Sequence, residues 1–166
     1  MKPSMFIKID GIDGESEDSD HEKWIDILSW AWGGALPTSA HVGSGRSSSQ
    51  PRTDDLTFVK FLDRSSPALF HSLFVGKHIP KVEMHCTKST GYDKGGDLKY
   101  IIMKLTDVIV SSITSGGSSG EDRLTENVSL SFAKIEYQYT VQGDDGGAGD
   151  KPMMVWEVTK GQGSIS

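Results

Sequence analysis

Apolar residues alternate with polar ones at Met5, Ile7 and Ile9, at Leu56 and Phe58, and at Val82, Met84 and Cys86. A side-chain period of two belongs to an extended strand with one buried face, so each run predicts a half-buried strand. Further strands are predicted over Trp24–Trp32, Tyr100–Leu105, Val108–Ile113, Val128–Val141 and Met153–Val158, most of them rich in β-branched and aromatic residues that fit a pleated surface. Seven or eight short strands imply a sandwich or a barrel. One segment departs from the period: Ser65 and Ser66 precede Pro67, and Gly76 follows Val75. A serine cap, a first-turn proline and a terminal glycine bracket one short helix. Its Leu69, Phe70, Leu73 and Phe74 form one apolar stripe that would pack against a sheet or plug a barrel end.

The strand near the carboxyl end changes phase. Val128, Leu130 and Phe132 are even-numbered, whereas Ile135, Tyr137, Tyr139 and Val141 are odd. A one-residue slip would turn the core face to solvent, so a bulge or sharp bend is expected near Ala133 and Lys134. Such a bend carries one long strand round a corner and favours a closed barrel. Three stretches are loops by composition: Gly33–Asp54, Ser111–Glu126 and Gln142–Lys151. The first has 22 residues, half of them Gly, Ser or Pro. That is far more than joining adjacent strands requires, so it is expected to reach away from the barrel and contact a neighbouring copy. Gly33, Leu36, Pro37, Val42, Arg46, Pro51 and Arg52 are its candidate contact residues.

Length, charge and cysteine usage narrow the function. A chain of 166 residues suits a single domain over 1–166 with one packed core and no need of staples. The single cysteine, Cys86, excludes an intramolecular disulfide, and no zinc-type spacing of Cys and His occurs. A formal net charge of -6 without a Lys/Arg cluster disfavours nucleic acid. The amino terminus lacks an apolar stretch of signal-peptide length, and nothing approaches the roughly 20 apolar residues of a membrane span. The protein is therefore expected to fold in a cytoplasm without membrane insertion, and to leave, if it leaves, by a dedicated machine.

Candidate chemistry is sparse. Gly116-Gly117-Ser118-Ser119-Gly120 fits the G-x-S-x-G nucleophile elbow, yet a strand is predicted after it and all five histidines precede it, against the hydrolase order. His85 and Cys86 adjoin on a strand and point to opposite faces, which reads as a buried thiol beside a surface histidine. The acidic run from Asp10 to Glu22 has no calcium-loop register and reads as a solvated turn. No cofactor, metal or catalytic residue is assigned. Trp24, Trp30 and Trp32, with Leu28, share even parity and would form a row on one strand face. The row reads as aromatic core or subunit interface; as a ligand platform it would make the chain a monomeric β-sandwich binding module instead.

The local phrases carry more. Gly14-Glu15-Ser16 with His21 and Trp24-Ile25, Ser29-Trp30-Ala31-Trp32-Gly33, Ser65-Ser66-Pro67-Ala68-Leu69 and Gly76-Lys77-His78-Ile79 occur in order. They are followed by Leu105-Thr106-Asp107-Val108-Ile109-Val110-Ser111-Ser112, Gly120-Glu121-Asp122 and Thr125-Glu126-Asn127-Val128, then Leu130, Phe132, Ile135 and Tyr137. As an ordered set over nearly the whole chain they resemble the Hcp (haemolysin-coregulated protein) family of type VI secretion systems. The resemblance implies a mainly β fold: a closed antiparallel β-barrel of two sheets with one short α-helix at its side and a long extended loop. It also implies a structural subunit, not an enzyme, whose hexameric rings stack into a tube expelled into target cells. The implied partners are other copies of itself, a VgrG-like spike, sheath proteins and small effectors in the lumen. The implied location is the bacterial cytoplasm before firing, then the medium or the target cell. With the sequence ending at Ser166, no fused toxin domain is expected.

Overall fold

A computed structural model describes residues 4–39, 47–48, 50–90 and 96–166. Six strands close the barrel: β1 (Met5–Ile9), β2 (Ile25–Ala31), β7 (Leu56–Phe61), β8 (Ile79–Ser89), β9 (Asp97–Gly116) and β10 (Thr125–Tyr139). Their order is β10-β7-β2-β1-β8-β9, and β9 pairs back onto β10, every pairing being antiparallel. Closure satisfies the backbone of each of these strands without leaving a free edge at the seam. β11 (Met153–Glu157) and β12 (Gln162–Ile165) extend the sheet beyond β10 as a hairpin. The helix α1 (Ser65–Val75) packs against β9.

The expected corner lies where the parity change placed it. Burial alternates on Val128, Leu130 and Phe132, then resumes on Ile135, while facing β9 buries Met103 and Leu105, then Val108 and Val110. Phe132 still faces Val108 and Ile135 still faces Leu105, so both strands turn together with their register kept. Asp107, at the corner on β9, has a left-handed φ of 53°. At this corner β10 exchanges partners, pairing with β7 over Thr125–Leu130 and with β11 over Lys134–Gln138. The register shift itself falls elsewhere, between Ser129 and Leu130. There Ser129 faces Ser112 and Leu130 faces Val110, which leaves Ser111 as the extra residue.

Several local expectations need correction. Tyr100–Leu105 and Val108–Ile113 belong to one 20-residue strand, β9, because the corner bends it without breaking the ladder. The loop expected over Ser111–Glu126 shrinks accordingly, since β9 runs to Gly116 and β10 starts at Thr125. The tryptophan row does not form: a register irregularity between Ile27 and Ser29 puts Leu28 in solvent and divides Trp24 from Trp30. In α1 neither Ser65 nor Ser66 is the cap. Arg64 holds that position without a side-chain cap, the Asp63 carboxylate just before it accepts the Ser65 N–H at 2.9 Å, and both serines are buried in the first turn. Gly76 ends the helix at φ 62° as expected, with its own N–H and that of Lys77 closing onto Leu73 and Ser72. The apolar stripe is only half used. Leu69 is buried, but Phe74 is 79% exposed, because Ser66 and Ser72 share the docked face.

The core is continuous from Ile7, Ile9, Ile25 and Phe58 through Met84, Leu105 and Val110 to Leu130 and Ile135. Two charged groups stand inside it. Lys60 and Glu126 face each other across β7 and β10 on the core-facing parity, both fully buried, with Nζ to Oε1 at 2.5 Å. The ammonium also donates to Asp63 Oδ1 and Ser66 Oγ at 3.0 Å each and to the Phe61 carbonyl at 2.9 Å. Buried charges are tolerated when paired and hydrogen-bonded in this way, and here the bonds join the barrel wall to the start of α1.

Outside the barrel wall lies a second buried patch. Phe6 and His85 face each other on β1 and β8, and the turn carrying His21 and Trp24 covers them. His85 is therefore 5% exposed and no surface histidine, although Cys86 behind it is the buried thiol expected, its ionisation pushed up by burial. The covering turn needs Gly14, where a Cβ would run into the Trp24 carbonyl and the Ile25 backbone.

Candidate assembly surface

The segment after β2 is more ordered than its composition suggested. Gly34–Ala35 (β3) pairs with Arg52–Thr53 (β6), and Thr38–Ser39 (β4) pairs with Ser47–Ser48 (β5), so the chain leaves and returns as a two-stranded arm. Glycine, serine and proline hid this hairpin because they are the residues strands disfavour. Its root is fastened twice. The Asp54 N–H donates to the Gly33 carbonyl at 2.8 Å, and the Trp32 indole N–H donates to the Asp54 carbonyl at 3.1 Å.

Of the candidate contact residues, the structure brings Gly33, Leu36, Pro51 and Arg52 together around one groove. Pro37 follows on the arm, and Val42 and Arg46 lie outside the described residues. The groove encloses about 560 Å³ and is walled by Trp30, Trp32, Tyr137, Met154 and Trp156 from β2, β10 and β11. Trp32 lies 6.2 Å from the Tyr137 ring and 6.4 Å from Phe132, which ties the arm's root to the barrel corner. Trp30 and Trp32 thus do share a surface, with Trp156 replacing Trp24 as their companion. Tyr137, Met154 and Trp156 escaped the sequence reading because they meet Trp30 only after β11 takes over from β7 at the corner. Apolar walls of this size, rimmed by one arginine, suit a protein contact better than a polar ligand.

A second feature is the sheet edge. β12 is the terminal strand beyond the barrel, and Ile165 on it is 83% exposed. A terminal strand offers backbone donors and acceptors along its outer side, a ready surface for another chain. Its sequence, Gln162-Gly163-Ser164-Ile165, carries one apolar residue and no alternation, so no strand was expected there. Gly163 is required by crowding, since a Cβ would strike the Val155 carbonyl and the Trp156 indole.

The remaining candidates lack catalytic surroundings. Ser118 is exposed between β9 and β10 and is followed by a strand, not by the helix a nucleophile elbow requires. His78 is bonded to Asp107 at 2.7 Å, and His21 and His85 are bonded to each other. Among the described residues no group of three His, Cys, Asp or Glu is placed to hold a metal ion, and no helix is long and apolar enough to cross a membrane.

Comparison with known proteins agrees with the fold. A family model described as "Type VI secretion system effector, Hcp" matches residues 6–139. The protein hcp1 of Pseudomonas aeruginosa is 40% identical over 159 residues, covering 95% of this chain and 96% of that protein. The crystal structure of Hcp1 from Salmonella typhimurium superposes with a TM-score of 0.80 at 33% identity, covering 99% of this chain and 100% of that one. Another structure, described as a type six secretion system protein, reaches a TM-score of 0.88 at 28% identity, covering 98% of this chain and 99% of that one. With a family model spanning most of its length and a relative of that identity, the chain belongs to the Hcp family, the secreted tube proteins of type VI secretion systems.

Proposed function

We propose that this chain is a structural subunit whose copies close into a hexameric ring, and that rings stack into a tube carrying small effector proteins in its lumen. One observation supports the reading above the others. A closed barrel, complete in itself, carries an arm, an aromatic groove and a terminal strand edge that its own core does not use. Surfaces of different kind on one molecule associate head to tail, and head-to-tail contacts close into rings when the rotation permits. The arm is the ring-stacking element in this reading, with Leu36, Pro37, Pro51 and Arg52 among its contacts, and a VgrG-like spike and sheath proteins complete the assembly. The subunit acts by assembly and carriage, without catalysis, waiting in the cytoplasm until firing.

Export tests the function. In a bacterium with an intact contractile apparatus the chain should accumulate in the medium, and deletion of the sheath should abolish that accumulation while cellular levels stay unchanged. Equal release from the sheath-deleted strain would defeat the proposal.

A further inference from the structure

The buried patch on the outer wall contains a chain of four titratable groups. Asp18 Oδ2 lies 2.7 Å from His21 Nδ1, His21 Nε2 lies 2.8 Å from His85 Nδ1, and His85 Nε2 lies 2.6 Å from Glu83 Oε1. His21 is 1% exposed and His85 5%, so water does not complete their bonding. Phe6 stacks on the His21 ring at 4.1 Å, and Trp24 meets both imidazoles, at 4.8 and 4.6 Å. The ends of the chain belong to different elements: Asp18 and His21 to the turn between β1 and β2, Glu83 and His85 to β8.

Hydrogen counting limits what this chain can hold. Three contacts of hydrogen-bond length need three hydrogens, one in each. Two neutral imidazoles supply two, and ionised Asp18 and Glu83 supply none. With both rings neutral, one of the three contacts would set two lone pairs against each other: between the rings, against Glu83 or against Asp18. With both rings doubly protonated, the N–H of His21 Nε2 and the N–H of His85 Nδ1 would collide at 2.8 Å. One extra proton on the pair satisfies all three contacts. In that state the rings carry a single positive charge between two carboxylates.

We propose that His21 and His85 form a one-proton clasp that fastens the acidic turn of residues 10–24 to β8, and that binding of a second proton opens it. The surrounding charges fit this assignment. Glu83 stands across from Lys8 on β1 and from Lys104 on β9, and Lys99 on β9 also acts on both His21 and Glu83. The hydrogen bond from His85 holds the Glu83 carboxyl below its ordinary range, which keeps that end ionised. Burial above all, aided by the charge of His85 and Lys99, holds His21 below the ordinary imidazole value of 6.5 in spite of Asp18. The folded clasp thus refuses the second proton that the opened turn accepts, so its contribution is largest near 6.5 and is lost as the pH falls below that value. Opening would reach further than the turn, because Glu15 in it accepts the Arg64 N–H at the start of α1 at 3.1 Å.

Hydrogen exchange read by mass spectrometry on the intact protein tests the clasp. Corrected for intrinsic rates, the opening constant of peptides covering residues 10–24 should be lowest near pH 6.5 and rise as the pH falls from there to about pH 5, approaching tenfold per unit for a one-proton step. Peptides from β10 serve as the control and should not follow. In His21→Gln, whose amide cannot take the second proton, the rise should be lost. An unchanged opening constant in the wild-type turn overturns the proposal even where the variant does not fold. So does an equal rise in wild type and His21→Gln.

Discussion

Lys60→Met should lower the stability of the chain by about 3–5 kcal/mol, the loss expected when one partner of a buried ion pair is removed. For a domain of this size that corresponds to a midpoint drop of roughly 6–20 °C. The substitution leaves the Glu126 carboxylate inside the barrel with Ser66 Oγ at 2.7 Å on Oε1 and without a hydrogen-bond partner for the buried Oε2. It also removes the ammonium that joins β7 to Asp63 and Ser66, so protection of the first turn of α1 should fall as well. Glu126→Gln should cost less. The ammonium then keeps Asp63 as a counter-charge and the Phe61 carbonyl as an acceptor. Lys60→Met combined with Glu126→Leu should recover much of the loss, because an apolar pair of similar volume often replaces a buried ion pair without penalty. Denaturation of the four proteins at one fixed concentration measures this. Equal midpoints for Lys60→Met and wild type would mean that water reaches the pair and that the barrel end is open.

Replacing Pro37–Arg52 by a short Gly/Ser linker should leave single rings intact and abolish tubes and export. The arm is an ordered extension for which the barrel core has no use. It is rooted beside the groove by the Gly33, Trp32 and Asp54 hydrogen bonds. A two-stranded ribbon presents its contacts with less ordering cost than a loose loop, in which each fixed residue costs on the order of 1–2 kcal/mol. Loss of the arm should therefore weaken stacking without touching the barrel, and the midpoint of unfolding should stay near that of wild type. Electron microscopy of the concentrated variant, with export measured in parallel, checks the result. Normal polymerisation and secretion of the shortened protein would move stacking to the 117–124 or 143–149 turns.

How much of this was legible follows from particular residues. The parity change between Phe132 and Ile135 located the barrel corner, because a core face cannot tolerate a slip and the chain must absorb it somewhere. Lys60 and Glu126 were legible in principle. They occupy the apolar parity of Leu56-Phe58 and Val128-Leu130, where a charge of each sign on two strands is a signal of pairing. The break in β2 was not, since Trp24, Ile25, Ile27 and Leu28 are all apolar and both faces could claim the core. The arm hairpin and β12 were hidden by small and polar residues whose pairing depends on backbone position. The His21–His85 contact spans 64 residues and is created by β1 bringing the turn against β8, so no local spacing announces it.

The mass of the assembly in solution tests the central claim most directly. Sedimentation equilibrium across micromolar concentrations, with negative-stain images of the same sample, should give six times the 18.1 kDa of one chain and rings with six-fold symmetry. A species that stays at 18.1 kDa throughout, with no rings in the images, would contradict it.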